Sequence, residues 1–377
     1  MAIRVLYRFP GANVRVISAR ADGPKPEVVF TSEPHGATDV LWFHFRLDDP
    51  QPVQPPPATL TLTLRFFQNF SGAADPAALR PVMRVEDKSW TRLKAPEVSF
   101  LPDGQPLLSW EIDYPAARTE VALCYPYGRA EADILLQHSK GYWREEEIGL
   151  TREGRPLLRL DNGVAGQGPA APRGLYLVAR QHAGETPGSW VLDGLLEKFS
   201  RARNPAWCVW AVPFADIDGI AAGDYGRDCV PRDLDRAWGR PPARHESLVM
   251  RRDLERWRER CRPALVLDLR APGASEADGV HACAAETAKP EEERDVRAWA
   301  NHIGQELAPE YAAEPFLRPP LPGPGTTLSA FAHDELATPA LAIETPYAIC
   351  RGALMTVRHY REVGHRIAKA ILGRWSS

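Results

Sequence analysis

The chain has 377 residues, with 46 Lys and Arg against 49 Asp and Glu, a formal net charge of −3 and 25% charged residues. That length supports two domains, or a large one with a smaller one, and an ample core. Balanced, dispersed charge excludes a nucleic-acid footprint, no apolar run approaches the ~18 residues of a membrane helix, and the first residues lack the apolar stretch of a signal peptide.

Residues 1–118 carry short alternating runs. "VLWFHFRL" (40–47) and "ATLTLTLRFF" (58–67) alternate apolar and polar positions, and "EVSFLPDGQPLLSWEID" (97–113) reads as strand, turn at Asp103-Gly104, strand. Short strands between Pro/Gly turns predict an antiparallel β-sandwich domain. From residue 119 to 377 the texture changes. "EVALCYPYG" (120–128) reads as a strand and "RAEADILLQHS" (129–139) as an amphipathic helix. Strands then alternate with helices: "GLYLVARQ", "GSWVLDGLLEKFS", "AWCVWAVPF", "SLVMRRDLERWRERC", "PALVLDLR", "DVRAWANHIGQEL", "PALAIETPY" and "ALMTVRHYREVGHRIAKAIL". Near-continuous apolar strands between helices predict an α/β domain, doubly wound on a mixed, mostly parallel sheet. The 36 prolines gather in clusters that read as connecting loops. The six cysteines, Cys124, Cys208, Cys229, Cys261, Cys283 and Cys350, are widely spaced without a C-x-x-C pair, as expected of reduced thiols in a cytoplasmic protein.

In a doubly wound sheet, functional groups collect at the carboxyl ends of strands. Three strand ends here carry chemistry: His182 with Glu185, Asp268 with Arg270, and Glu344. Imidazole and carboxylate are zinc donors, and Gly184 between His182 and Glu185 permits the turn that would converge them. Alone, H-x-x-E is a weak signal. Glu344 at the end of an apolar strand is either paired with an arginine or a general base whose pKa burial raises. Arg236, within "DLDRAW", is either a loop ion-pair partner or a planar clamp for a carboxylate.

The order of these motifs resembles the zinc metallocarboxypeptidases of the carboxypeptidase A superfamily, and most closely the cytosolic carboxypeptidase branch. "RQHAGETPGSWVLDGLL" is similar to that branch's H-P-G-E-T-x-x-S-W/F segment. "VPFADIDGIAAGDYGRDCVPRDLDRAW" is similar to its V-P-x-x-N-P-D-G-V-x-x-G-N-Y-R…D-L-N-R-x-W segment, and "VALCYPYGRAEADILLQ" to the stretch joining its β-sandwich to the peptidase domain. The similarity runs from about residue 40 to the end. It implies His182 and Glu185 as the first two zinc ligands, Glu344 as general base, and Arg236 as the clamp for the substrate's terminal carboxylate. It places Asp235 where the family has Asn. The family's carbonyl-polarising arginine falls at Gly226, with Arg227 one residue later. The implied cofactor is zinc, the implied partner a peptide or protein C-terminus, and the implied activity removal of a C-terminal residue, an acidic one included.

The third ligand departs from the pattern. The family's strand is followed by His, whereas this chain has Arg270. A guanidinium has no lone pair to give and stays protonated. Arg270 is instead expected to pair with Glu185 or Glu344 and fill the metal's place. His281 is the candidate substitute ligand, with His333 and His245 behind it. Two readings follow. One is a zinc carboxypeptidase with an irregular site. The other is a metal-free relative that binds peptide C-termini or a protein partner in the same cleft. A hydrolase acting on another amide or ester with a free carboxylate is a third.

Overall fold

Alternation in the first third does what its pattern dictates. The computed structural model describes residues 3–21, 25–50, 56–70, 75–115, 118–227, 233–285, 290–320 and 322–374; Cys229 lies outside them. Ten strands, numbered along the chain, form the sandwich: β1 (Arg4–Leu6), β2 (Arg15–Arg20), β3 (Glu27–Thr31), β4 (His44–Asp48), β5 (Thr59–Leu64), β6 (Val82–Val85), β7 (Thr91–Arg92), β8 (Glu97–Phe100), β9 (Pro106–Asp113) and β10 (Thr119–Ala122). One sheet has the order β1-β4-β10-β6-β7 and the other β2-β3-β5-β9-β8. All pairs are antiparallel except β3 with β5. Leu60, Leu62 and Leu64 point inward while the intervening threonines face the other way, and Phe30 meets Phe43 and Phe45 edge-on at 5.3 and 4.9 Å. Strand β10, hydrogen-bonded between β4 and β6, carries this sheet past residue 118.

The second region is built on an eight-stranded mixed sheet. Its strands are β11 (Arg144–Leu150), β12 (Pro156–Asp161), β13 (Arg173–Ala179), β14 (Trp207–Val212), β15 (Arg262–Arg270), β16 (Val280–Cys283), β17 (Ala312–Arg318) and β18 (Ala340–Glu344), in the order β11-β12-β14-β13-β15-β18-β16-β17. The centre, β14-β13-β15-β18, is parallel. The helices are α1 (Arg129–His138), α2 (Thr186–Ala202), α3 (Ile217–Ala222), α4 (His245–Arg258), α5 (Pro290–Leu307), α6 (Leu328–Leu336) and α7 (Val357–Gly373). Period-two alternation splits each central strand between two cores. Leu175, Leu177, Leu265, Leu267 and Leu269 pack with α2, α5 and α7, whereas Tyr176, Val178 and Val266 pack with α4 and α6. The same alternation turns Asp268 and Arg270 to the α4/α6 side. Strand order reverses at β13, with β14 on one side and β15 on the other, which opens a crevice at their carboxyl ends.

The sandwich rests on the segment that enters this crevice. Asn13 Nδ2 donates to the Gly223 carbonyl at 2.7 Å, Gly11 N to the Ala221 carbonyl at 3.2 Å, and His35 Nδ1 lies 2.6 Å from Asp224 Oδ1. Among the described residues, no helix is long and apolar enough to cross a membrane, and Cys124, Cys208, Cys261, Cys283 and Cys350 are free thiols.

Candidate functional site: a cleft centred on Arg270

The cleft is made by backbone turns at strand ends. Strand β13 stops at Ala179, and Arg180 adopts a left-handed φ of +64°. Its own guanidinium stabilises that turn, Nε donating to the Ala183 carbonyl at 2.6 Å and Nη1 to the Tyr127 carbonyl at 3.0 Å. The reversal brings Gln181, His182 and Glu185 over the sheet. Helix α2 starts directly after Glu185, and Gly188 lets it lie against the Leu269 carbonyl, where a Cβ would collide. The segment 225–227 then crosses behind His182. A Cβ on Gly226 would sit 2.6 Å from Ala183 N, and its φ is +97°, so glycine is required there for close approach rather than being a bare loss of arginine. Arg227, the next residue, lines the cleft.

His182 is clamped on both ring nitrogens. Nδ1 lies 2.7 Å from Glu185 Oε1, and Nε2 lies 2.9 and 3.0 Å from the two oxygens of Asp233. Asp233 also accepts from Asp235 N at 2.9 Å and so caps the short helical turn that carries Asp235 and Arg236. Burial alone would lower the imidazole pKa, but Glu185 and Asp233 outweigh it and raise it to about 10. Burial likewise pushes Glu185 up, yet His182 and Arg270 hold it below the usual carboxylate range.

Arg270 occupies the middle of this group. Its Nη2 is 2.9 Å from His182 Nδ1, its Nη1 pairs with Asp235 Oδ1 at 2.9 Å, and its Nε lies 3.7 Å from Glu185, 3.8 Å from Asp268 and 3.8 Å from Glu344. The side chain is 9% exposed. Nδ1 cannot donate to Glu185 while accepting from Arg270. With the imidazole protonated, the Arg270 contact is a like-charge approach, compensated by the surrounding carboxylates. Those carboxylates keep Arg270 firmly protonated despite its burial. Glu344 is pushed up to about 7 and Asp268 to about 8, in both cases chiefly by burial and against the pull of Arg270.

Around Arg270 lies a cavity of about 170 Å³. Arg227, Arg236 and Arg318, the carboxyl groups of Asp235, Asp268, Glu276 and Glu344, and His281, Cys283, Thr327 and Ser329 face it. Among the residues that line it, three buried polar atoms make no hydrogen bond to the described residues: Asp268 Oδ1, Glu344 Oε2 and Arg270 Nε. Asp268 is oriented by a buried relay, Gln181 Nε2 donating to its Oδ2 at 2.6 Å while Trp238 Nε1 donates to Gln181 Oε1 at 2.6 Å.

A divalent metal does not fit these residues. Among the described residues, no group of three His, Cys, Asp or Glu side chains converges in a way that could hold one. His182 and Glu185 converge, but the third position presents a guanidinium, which has no lone pair to give. With an effective dielectric of about 20, a dication about 3 Å from a guanidinium is repelled by on the order of 10 kcal/mol. His281 does not replace the missing donor. It sits on β16 opposite Glu344, its Nδ1 3.4 Å from the Gly279 carbonyl, and burial with Arg318 nearby lowers its pKa to about 4. His333 is buried in the last turn of α6, its Nε2 accepting from Ala340 N at 3.0 Å, and His245 is exposed at the start of α4.

The structure thus gathers His182, Glu185, Asp235, Arg236, Arg227, Arg270, His281 and Glu344 at one cleft. Sequence reasoning missed the roles of Asp233 and Gln181. Asp233 two residues before Asp235 is an N-cap signal that points to the turn. Gln181 has no comparable signal, because its partners come from distant strands.

The fold is that of the metallo-carboxypeptidases. A metallo-carboxypeptidase from Burkholderia cenocepacia matches with a TM-score of 0.77 and 16% identity over 99% of this chain and 98% of that one. One from Pseudomonas aeruginosa, solved with (2-guanidinoethylmercapto)succinic acid, matches with a TM-score of 0.76 and 19% identity over 98% of both. The resemblance to cytosolic carboxypeptidases is found again by sequence. The chain is 26% identical over 232 residues to human cytosolic carboxypeptidase 6, covering 55% of this chain and 44% of that protein. It is 23% identical over 178 residues to the Caenorhabditis elegans protein of the same name, covering 43% and 39%. The match spans less than half the length of these curated relatives. No family model matches. The likenesses support the carboxypeptidase-like metallopeptidase superfamily.

Proposed function

We propose that the chain uses the carboxypeptidase fold to engage the free carboxyl end of a peptide or protein in the Arg270 cleft. The observation that carries this reading is that Arg227 and Arg236 line one cavity with Arg270 at its centre. Arg236 is one-fifth exposed, with Nε 3.3 Å from Asp235, and Gly323 lies close enough that a Cβ there would sit 3.3 Å from its guanidinium carbon. A planar guanidinium suits bidentate capture of a carboxylate. Asp235 by itself would repel that carboxylate, but its ion pair with Arg270 neutralises it.

The names of the relatives, all carboxypeptidases, favour a hydrolase that removes a C-terminal residue. In that reading Glu344, its pKa near 7, is the general base. The donor set argues against the zinc such a step would use, so recognition of the C-terminus is the part of the activity these residues support best. Isothermal titration with a peptide and its C-terminally amidated twin tests it. Binding of the free acid alone is the expected result, and equal binding of both, or of neither, contradicts it.

A further inference from the structure

We propose that the cleft has been rebuilt around an internal cation, with the Arg270 guanidinium standing in the metal's place and ion-paired to Asp235, so that the chain works without a metal. The inference rests on the reading of the cleft as a C-terminus site. The two departures at its core are not independent. Arg270 brings a positive charge to the end of β15, and Asp235 brings a negative charge to the facing turn. The two meet at 2.9 Å. The close contacts between opposite charges at the site are those of Asp233 and Glu185 on His182, and of Asp235 on Arg270.

The surrounding packing fits the side chain. The last residues of β15 pair in parallel register with β18, Arg270 opposite Glu344, and Ala271 N donates to Glu185 Oε2 at 3.2 Å. Arg270 is held by backbone register and by carboxylates on three sides. Its Nε is buried 3.7–3.8 Å from Glu185, Asp268 and Glu344. Arg270 lines the cavity, so a ligand there meets a fixed, permanently charged group. A divalent ion would supply charge at this spot only by loading, which depends on pH and metal supply. The guanidinium supplies it at all physiological pH values.

Elemental analysis after zinc incubation and desalting gives the first readout, on the unmodified chain. No retained zinc is expected, and near-stoichiometric zinc would overturn the proposal. The second readout is the double variant Arg270→His with Asp235→Asn, checked for folding by circular dichroism. It should retain zinc and, with cobalt, show the visible absorption of a tetrahedral site. A folded double variant that takes up neither ion would also overturn the proposal, because something other than Arg270 would then be barring the metal. Titration of the free-acid peptide in chelator separates this inference from the reading of function. Peptide binding with zinc retained sinks only the inference. Loss of peptide binding in a zinc-free protein sinks only the reading of function.

Discussion

Two buried charge clusters in this molecule are near mirror images in sign. In the sandwich, one carboxylate, Glu120, is shared by Arg46 at 2.5 Å, Arg84 at 2.8 Å and His44 at 3.6 Å. In the cleft, one guanidinium, Arg270, is shared by Asp235, Glu185, Asp268 and Glu344. The sandwich cluster is closed around its central charge: both Glu120 oxygens accept from an arginine, and Arg46 and Arg84 stack on Phe9 and Trp90, although His44 Nε2 and Arg84 Nε make no hydrogen bond to the described residues. The cleft cluster borders a cavity that Asp268, Glu344 and Arg270 line, and its central charge is shared among four carboxylates. Both clusters hold buried charge by pairing, and what separates them is the cavity that adjoins the cleft cluster.

Replacing the central charge of each cluster is the strongest way to break this comparison. Arg270→Ala leaves the facing carboxylates without their cation and should cost roughly 3–5 kcal/mol of stability, read by chemical denaturation. Glu120→Gln should cost somewhat less, about 3 kcal/mol at neutral pH, since the group's pKa falls from 4.5 to about 2 on folding. Burial would raise that pKa, and the nearby His44, Arg84 and Arg46 more than reverse it. A folded pKa below the unfolded one means the stabilisation is complete above 4.5 and is lost as pH falls toward 2. The stability gap between the unmodified chain and Glu120→Gln should therefore close across that acid window in parallel denaturation curves.

Arg236→Ala sharpens the contrast by separating stability from binding. Its side chain borders the cavity rather than the centre of the cluster. Denaturation should move by no more than ~0.5 kcal/mol, while affinity for a free-acid peptide should fall by roughly 30-fold, about 2 kcal/mol, in titration calorimetry. The smallest effect belongs to the half-exposed pair of His35 with Asp224 where the sandwich meets the crevice. His35→Ala should change stability by less than ~1 kcal/mol.

Much of this was legible in the sequence, for a physical reason. The strands ending at Ala179, Val212, Arg270 and Glu344 are buried on both faces, so their apolar runs are nearly unbroken. The region from 271 to 335 hid more. Strand β16 has only four residues, two of them His281 and Cys283; β17 is an edge strand carrying Pro315 and Glu314; α6 spans nine residues. None has enough periodicity to stand out, yet together they wall the cleft. Within the site, His182, Glu185, Arg236 and Glu344 could be picked out because the motifs fix their order. The pairing of Arg270 with Asp235 could not, since it depends on how the turn after Asp233 faces β15. Gly226 stands where the family pattern has arginine, and the need for glycine there lies in a close backbone approach to Ala183 that no local pattern encodes.

The most direct test of the central claim is anomalous diffraction at the zinc edge, from crystals of the unmodified chain grown with excess zinc. The account predicts no anomalous peak beside His182 and Glu185, with Arg270 density bridging to Asp235. A zinc peak bonded to His182 and Glu185, with the Arg270 side chain turned away, would contradict it.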